Sequence, residues 1–279
     1  MADDTPTLSA LAARAQVLTT PCGAGEMVWR AWGAGDETVV LLHGGSGSWR
    51  HWVKTIPALA ARCRVLAADL PGLGDSAMPP DPPGPASSAA IVAAGLPALV
   101  PAGSETHLVG FSYGSHVATL AAPALGSHIA DLTIVGCAAL GLPPWPMEEF
   151  PKERAGMTDA ERRAVHRRTL EILMFADPTA IDDLAVDIQA ANVARTRLRT
   201  RHFAGTDDIA RGLADVRVPL KSIWGARDIL AHPSFDAVRS ILARHHPELD
   251  FRTVPGAGHW VMYERGDDFA TELIDVLGL

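Results

Sequence analysis

The runs TVVLL at 38–42 and LTIVG at 132–136 are apolar almost without interruption. A strand with one wet face alternates polar and apolar side chains, so unbroken runs of this length belong to strands covered on both faces by helices. Similar short runs recur at 27–32, 64–68, 107–111, 220–224 and 250–254, and longer segments of helical character lie between them at 51–61, 88–99, 115–125, 235–245 and 267–277. That alternation predicts an α/β fold: a mostly parallel central sheet of about eight strands, joined and flanked by helices.

The rhythm breaks once. After Gly141 the chain passes Pro143, Pro144 and Pro146, then turns charged and helical with no strand pattern until about Gly212. Residues 142–212 are therefore expected to form an inserted helical cap over the carboxyl edge of the sheet, between a first core part at 1–141 and a second at 213–279. Its helices are expected at 159–175, after the capping residue Thr158, and at 179–203, after Asp177 and Pro178. The Pro-rich stretch 78–85 reads as a surface loop, and no internal repeat is visible.

A chain of 279 residues, 48% of them hydrophobic, can bury one large core and still carry such an elaboration. With 32 acidic against 24 basic residues its net charge is -8, which repels phosphate backbones and anionic lipid surfaces. Neither nucleic acid nor membrane is expected as a partner; a small-molecule substrate and a monomer or homodimer are. The first residues carry acids where a secretory signal carries positive charge, and a cytoplasmic location is expected. Cys22, Cys63 and Cys137 are odd in number and widely spaced, so they predict neither a disulfide framework nor a zinc site.

The chemistry is concentrated where the run 107–111 gives way to a helix, at Gly110-Phe111-Ser112-Tyr113-Gly114. Glycines two before and two after Ser112 permit a sharp turn that lifts the hydroxyl clear of the backbone, and the helix N-terminus that follows favours a developing oxyanion. A neutral serine is a weak nucleophile, so it needs a base and a carboxylate to orient that base. Asp228 in WGARD and His259 in GAGHW follow in that chain order, each just past a strand, where open α/β sheets build their sites. Asp69 and Asp75 in DLPGLGDS are rival carboxylates; Asp69 is read as satisfying N–H groups of its own turn. His43 is read as an architectural loop residue. His51, His116 and the pair His245-His246 have no metal-ligand spacing and are expected on solvated faces, and neither a metal nor any other cofactor is predicted.

With these segments in order, the chain resembles the α/β-hydrolase superfamily over nearly its whole length. LLHGGSGSW is similar to the oxyanion loop of that family, DLPGLGDS to its Gly-rich turn, GFSYGS to its nucleophile elbow, and WGARD and GAGHW to its acid and histidine segments. The resemblance implies Ser112 as nucleophile, Asp228 as orienting acid, His259 as general base and acid, and the N–H groups of Gly45 and Tyr113 as oxyanion donors. The strand ending near Gly136 is followed by CAALG, without the acid that some relatives place there. Relatives that dehalogenate or open epoxides carry aspartate at the elbow, so Ser112 points to acyl chemistry on an ester, lactone, thioester or amide, of the carboxylesterase kind. An alternative is cleavage of a carbon-carbon bond in a ring-fission dienoate, although the loop His43-Gly44-Gly45-Ser46-Gly47-Ser48 lacks the proline usual in those relatives. A ligand receptor with slow or no turnover is the alternative of another class.

Ser46, Trp49, Trp145 and Trp260 lie in or beside these segments and are expected to line an apolar or aromatic pocket. Core packing is the competing role for at least one of Trp49 and Trp52. The cap also holds an acid-free run at 195–202 with four arginines. On a helix Arg195 and Arg199 share one face and Arg197 and Arg201 another, and an arginine of the pair turned inward would clamp a substrate carboxylate. Otherwise the run is a solvated face paired with Asp182, Asp183 and Asp187.

Overall fold

The computed structural model describes residues 8–146 and 148–279. Eight strands form one sheet: β1 (Gln16–Cys22), β2 (Gly25–Trp32), β3 (Glu37–Leu42), β4 (Arg64–Ala68), β5 (Glu105–Phe111), β6 (Asp131–Val135), β7 (Leu220–Gly225) and β8 (Asp250–Val254). Their spatial order is β1-β2-β4-β3-β5-β6-β7-β8. Pairing is antiparallel from β1 to β2 and from β2 to β4, and parallel everywhere else. The helices are α1 (Leu8–Ala13), α2 (Ile56–Ala60), α3 (Pro85–Gly95), α4 (Tyr113–Leu125), α5 (Asp159–Leu173), α6 (Asp183–Ala194), α7 (Asp208–Gly212), α8 (Phe235–Leu242), α9 (Val261–Glu264) and α10 (Gly266–Leu277).

The unbroken apolar runs occupy the middle of the sheet for the reason their sequence implies. Val40 and Leu42 pack into a cluster with α3, α4 and α8, while Val39 and Leu41 pack into a second cluster with α1, α2 and α10 on the opposite face. Successive side chains of β3 therefore feed two cores. The one strand without a sequence signal is β1. It contains Pro21, exposes Val17, and pairs only with β2 at the sheet edge, where a weaker pattern suffices.

Between β6 and β7 lie α5, α6 and α7, and no strand forms there among the described residues. The start of α5 is as expected: the Thr158 hydroxyl accepts the Glu161 N–H at 3.3 Å, and the Glu161 carboxylate accepts the Thr158 N–H at 2.6 Å. The helix expected over 179–203 is a correction. It breaks into a 3-10 turn at Pro178–Ala180, then α6, then an irregular stretch, then a 3-10 turn at Arg201–Gly205. The N–H groups of Arg197 and Leu198 both donate to the Gly72 carbonyl, at 2.9 and 3.1 Å, instead of continuing α6, and Leu198 is buried in the core. Helical spacing consequently does not relate Arg195 to Arg199.

Candidate active site

The turn after β5 is tight. Ser112 has φ 53°, in the left-handed region that costs energy for a non-glycine residue, and its N–H is shared between the carbonyls of Val135 and Gly136 at 2.9 and 2.7 Å. A Cβ on Gly114 would fall inside contact distance of the Leu42 and His43 carbonyl oxygens, so only glycine lets α4 approach β3 this closely. Tyr113 is the first residue of α4. Its N–H accordingly has no carbonyl partner within the helix.

The elbow holds Ser112 Oγ 3.0 Å from His259 Nε2, and His259 Nδ1 lies 2.8 Å from Asp228 Oδ2. The other oxygen of Asp228 accepts the Leu230 N–H at 2.8 Å, which fixes the carboxylate plane. Asp228 and His259 are both buried. The loop bearing His259 is itself tied down. Glu264 accepts N–H groups from Gly258 at 2.7 Å, Ala176 at 3.0 Å and Asp177 at 2.8 Å, while the Trp260 N–H donates to the Met174 carbonyl at 2.8 Å. One carboxylate thus joins the histidine loop to the chain following α5. Gly45 faces the elbow from the end of β3, where a Cβ on it would sit 3.8 Å from that of Tyr113.

The rival carboxylates have structural duties. Asp69 accepts the N–H groups of Trp49 at 2.9 Å and Asp75 at 3.0 Å and pairs with Arg30 at 3.1 Å, so it braces the loop after β3 as well as its own turn. His43 accepts the Leu70 N–H on Nε2 at 2.9 Å and donates from Nδ1 to the Gly44 carbonyl at 2.7 Å, and burial pushes its pKa down. Both serve the loop.

Above Ser112 and His259 is a cavity of about 840 Å³, floored by strand ends and the loop after β3 and walled by residues between β6 and β7. Of the residues expected to line it, Ser46 and Arg199 do so; Trp49, Trp145, Trp260 and Arg195 do not. Trp49 is buried in the core with Trp52. Trp260 is buried with its indole N–H on the His51 carbonyl at 2.9 Å, and Trp145 is exposed with its edge on His232. Arg195 pairs with Asp75, and Arg197 donates to the carbonyls of Gly74 and Ser76, which anchors the irregular stretch on the DLPGLGDS turn. Asp183 and Asp187 pair with Arg163, and Asp182 accepts from Tyr263, so none of the three serves the arginine run. Arg201 lies 3.8 Å over the Phe150 ring. Arg199 alone among the four has no ion pair, hydrogen bond or ring contact among the described residues.

Two histidines expected on solvated faces are buried and line the cavity: His51, in the 3-10 turn after β3, and His116, whose Nε2 lies 3.2 Å from Asp208. Burial lowers the pKa of each, and for His51 the neighbouring His43 and His259 add to the effect. Phe111, Phe150, Phe203 and Gln189 complete surfaces that sequence reasoning had not assigned. His166 and Leu173 line the cavity from α5, whose helical periodicity is the sequence signal that could have found them; residues from irregular chain carry none. Among the described residues no group of His, Cys, Asp and Glu converges as metal ligands, and no helix is long and apolar enough to cross a membrane.

The profile of the alpha/beta hydrolase family matches residues 39–272. The chain is 27% identical over 262 residues to a 2-hydroxy-6-oxononadienedioate/2-hydroxy-6-oxononatrienedioate hydrolase of Paraburkholderia phymatum, covering 88% of each protein. It is also 27% identical over 263 residues to the dihydrolipoyllysine-residue acetyltransferase component of an acetoin cleaving system of Pseudomonas putida; there the alignment takes in 88% of this chain but spans only 64% of the relative's length. Among solved structures, a serine hydrolase from the polyaromatic hydrocarbon-degrading bacterium Cycloclasticus zankles superposes with a TM-score of 0.72 at 21% identity, covering 95% of this chain and 98% of that one.

Proposed function

The chain belongs to the alpha/beta hydrolase family, and on that premise we propose that it is a serine hydrolase cleaving a small carboxylic ester or related acyl compound. The observation that carries the reading is the line from Ser112 Oγ through His259 to Asp228, at 3.0 and 2.8 Å, beneath the 840 Å³ cavity. Ser112 Oγ attacks the acyl carbonyl while its proton passes to His259 Nε2, and the oxyanion is held by the N–H groups of Tyr113 and Gly45. His259 then protonates the leaving alcohol as the bond to it breaks, leaving an acyl-serine. Water, deprotonated by His259, releases the acid and restores Ser112. Residues 142–212 act as the cap that walls this space, inserted between core parts 1–141 and 213–279.

A phosphonate ester with a p-nitrophenyl leaving group tests the nucleophile directly. One equivalent of p-nitrophenol should be released, and mass spectrometry should find one phosphonyl group on the peptide containing Ser112. Labelling elsewhere, or none at all, defeats the assignment.

A second reading is favoured by the 27% identity to the Paraburkholderia phymatum hydrolase across 88% of both chains. In it the same residues hydrolyse a carbon-carbon bond in a ring-fission dienoate. A panel of aryl esters, lactones, amides and such a dienoate decides between the two by the ratio of specificity constants. Arg199 supplies an independent expectation, because it is the cavity's unpartnered arginine among the described residues. A charge-assisted hydrogen bond contributes roughly 1.5 to 3 kcal/mol, and the exposure of Arg199 favours the lower end, so Arg199→Ala should cost about tenfold in kcat/KM on substrates with a second carboxylate. Neutral esters and the Arg195→Ala control should be unaffected; equal losses on both substrate types would refute the clamp.

A further inference from the structure

Where α6 meets the oxyanion-loop segment, the protein buries more hydrogen-bonding capacity than it satisfies. The Ser48 hydroxyl donates to Asn192 Oδ1 at 2.6 Å, joining the two. One turn away on each side, His51 stands three residues after Ser48 on the 3-10 turn Trp49–Trp52, and Gln189 stands three residues before Asn192 on α6. Residues three apart share a face of an α-helix, so Gln189 stands on the face of α6 that carries Asn192, and His51 lies on the turn that Ser48 caps. Both line the cavity; His51 is 2% exposed and Gln189 8%. Neither ring nitrogen of His51 nor the Gln189 amide has a hydrogen-bond partner among the described residues, and Asn192 Nδ2 is equally unpartnered.

Unsatisfied buried polar groups cost on the order of 1 to 3 kcal/mol each, so a free protein that retains two at one seam, His51 Nδ1 and Asn192 Nδ2, is poorer for it unless something else completes them. The cluster carries no formal charge, since burial holds His51 neutral, and its free side is the cavity. It presents N–H donors from an imidazole and an amide, which match the lone pairs of a carbonyl oxygen.

We infer that His51 and Gln189 form a hydrogen-bonding subsite for an uncharged carbonyl oxygen of the substrate other than the one attacked, so that oxo-substituted acyl compounds are selected over their hydrocarbon counterparts. This rests on the proposed hydrolase reading for its kinetics, though not for its binding. A site built to hydrogen-bond a polar group discriminates strongly against an analogue without it, because its own groups are then left unpaired. Arg199 stands apart from this cluster, having no bond to any member of it.

The test uses two matched pairs: p-nitrophenyl 4-oxopentanoate against the pentanoate, which places the carbonyl in the acyl part, and 2-oxopropyl butanoate against butyl butanoate, which places it in the alcohol. The wild type should prefer the oxo member of at least one pair by about 10- to 100-fold in kcat/KM. Gln189→Met and His51→Leu should each bring that preference down about tenfold while leaving the hydrocarbon member within about threefold. Both variants should melt at or above the wild-type temperature, since neither side chain makes a hydrogen bond that the substitution would break; a merely structural role predicts a lower Tm. Equal treatment of both members by the wild type, or loss on both in the variants, overturns the subsite. Should the wild type hydrolyse none of the four, the hydrolase reading falls separately, and calorimetric binding of the same esters to Ser112→Ala still decides: the oxo member must bind more tightly, and Gln189→Met must abolish the difference.

Discussion

Ser112→Ala is expected to lower kcat by about a millionfold while leaving the protein folded, because the methyl group cannot form the acyl bond. What persists should be roughly a thousandfold acceleration over water, from substrate binding and the N–H groups of Tyr113 and Gly45. The backbone at position 112 is held by the Val135 and Gly136 carbonyls and not by the hydroxyl, so circular dichroism and Tm should match the wild type. Single-turnover and steady-state rates on one aryl ester check it. Activity within tenfold of wild type in this variant would remove Ser112 from the reaction.

Asp228→Asn should be the next most damaging, at about ten-thousandfold in kcat. The carboxylate oxygen 2.8 Å from His259 Nδ1 holds a proton on that nitrogen, leaving Nε2 unprotonated toward Ser112. An asparagine amide in the same place donates instead. It reverses the tautomer and directs an N–H at the hydroxyl that needs a base. Because the substituted side chain would retain an oxygen for the Leu230 N–H, the loop should keep its shape, and a crystal structure of the variant should superpose on the wild type. A loss of tenfold or less would mean that another carboxylate orients the histidine; Asp69 and Asp75 are engaged in the turn around residues 69–76 and are not placed to do so.

The sheet and the three residues in line were legible because each rests on local chemistry. An unbroken apolar run, a glycine that packs against a carbonyl, and a carboxylate just past a strand leave marks within a few residues of themselves. The cavity walls did not share that property. Tryptophans near the motifs were expected to face the substrate, yet Trp49 and Trp260 have the volume the core required and lie buried in it, while Trp145 stays on the outside. His51 was expected in water because it has no metal-ligand spacing, and it lies at 2% exposure because the 3-10 turn points it inward. The arginine run failed for a related reason. Its helix ends where Gly72, more than 120 residues earlier in the chain, offers a carbonyl to Arg197 and Leu198. No reading of residues 195–202 in isolation contains that carbonyl.

The Glu264 carboxylate bears on how this protein could be rebuilt. A designer wishing to transplant the segment between β6 and β7 from another hydrolase would cut at the obvious seams, near Gly141 and Gly212, and treat the piece as an interchangeable cassette. The amides of Ala176 and Asp177 lie inside that cassette, yet they share their acceptor with Gly258, the residue before His259. A donor segment lacking two amides at that spot would leave Glu264 half satisfied and the histidine loop unmoored, so the graft has to bring a matching pair with it or replace 258–264 at the same time. Modularity here ends at the acid, not at the glycines.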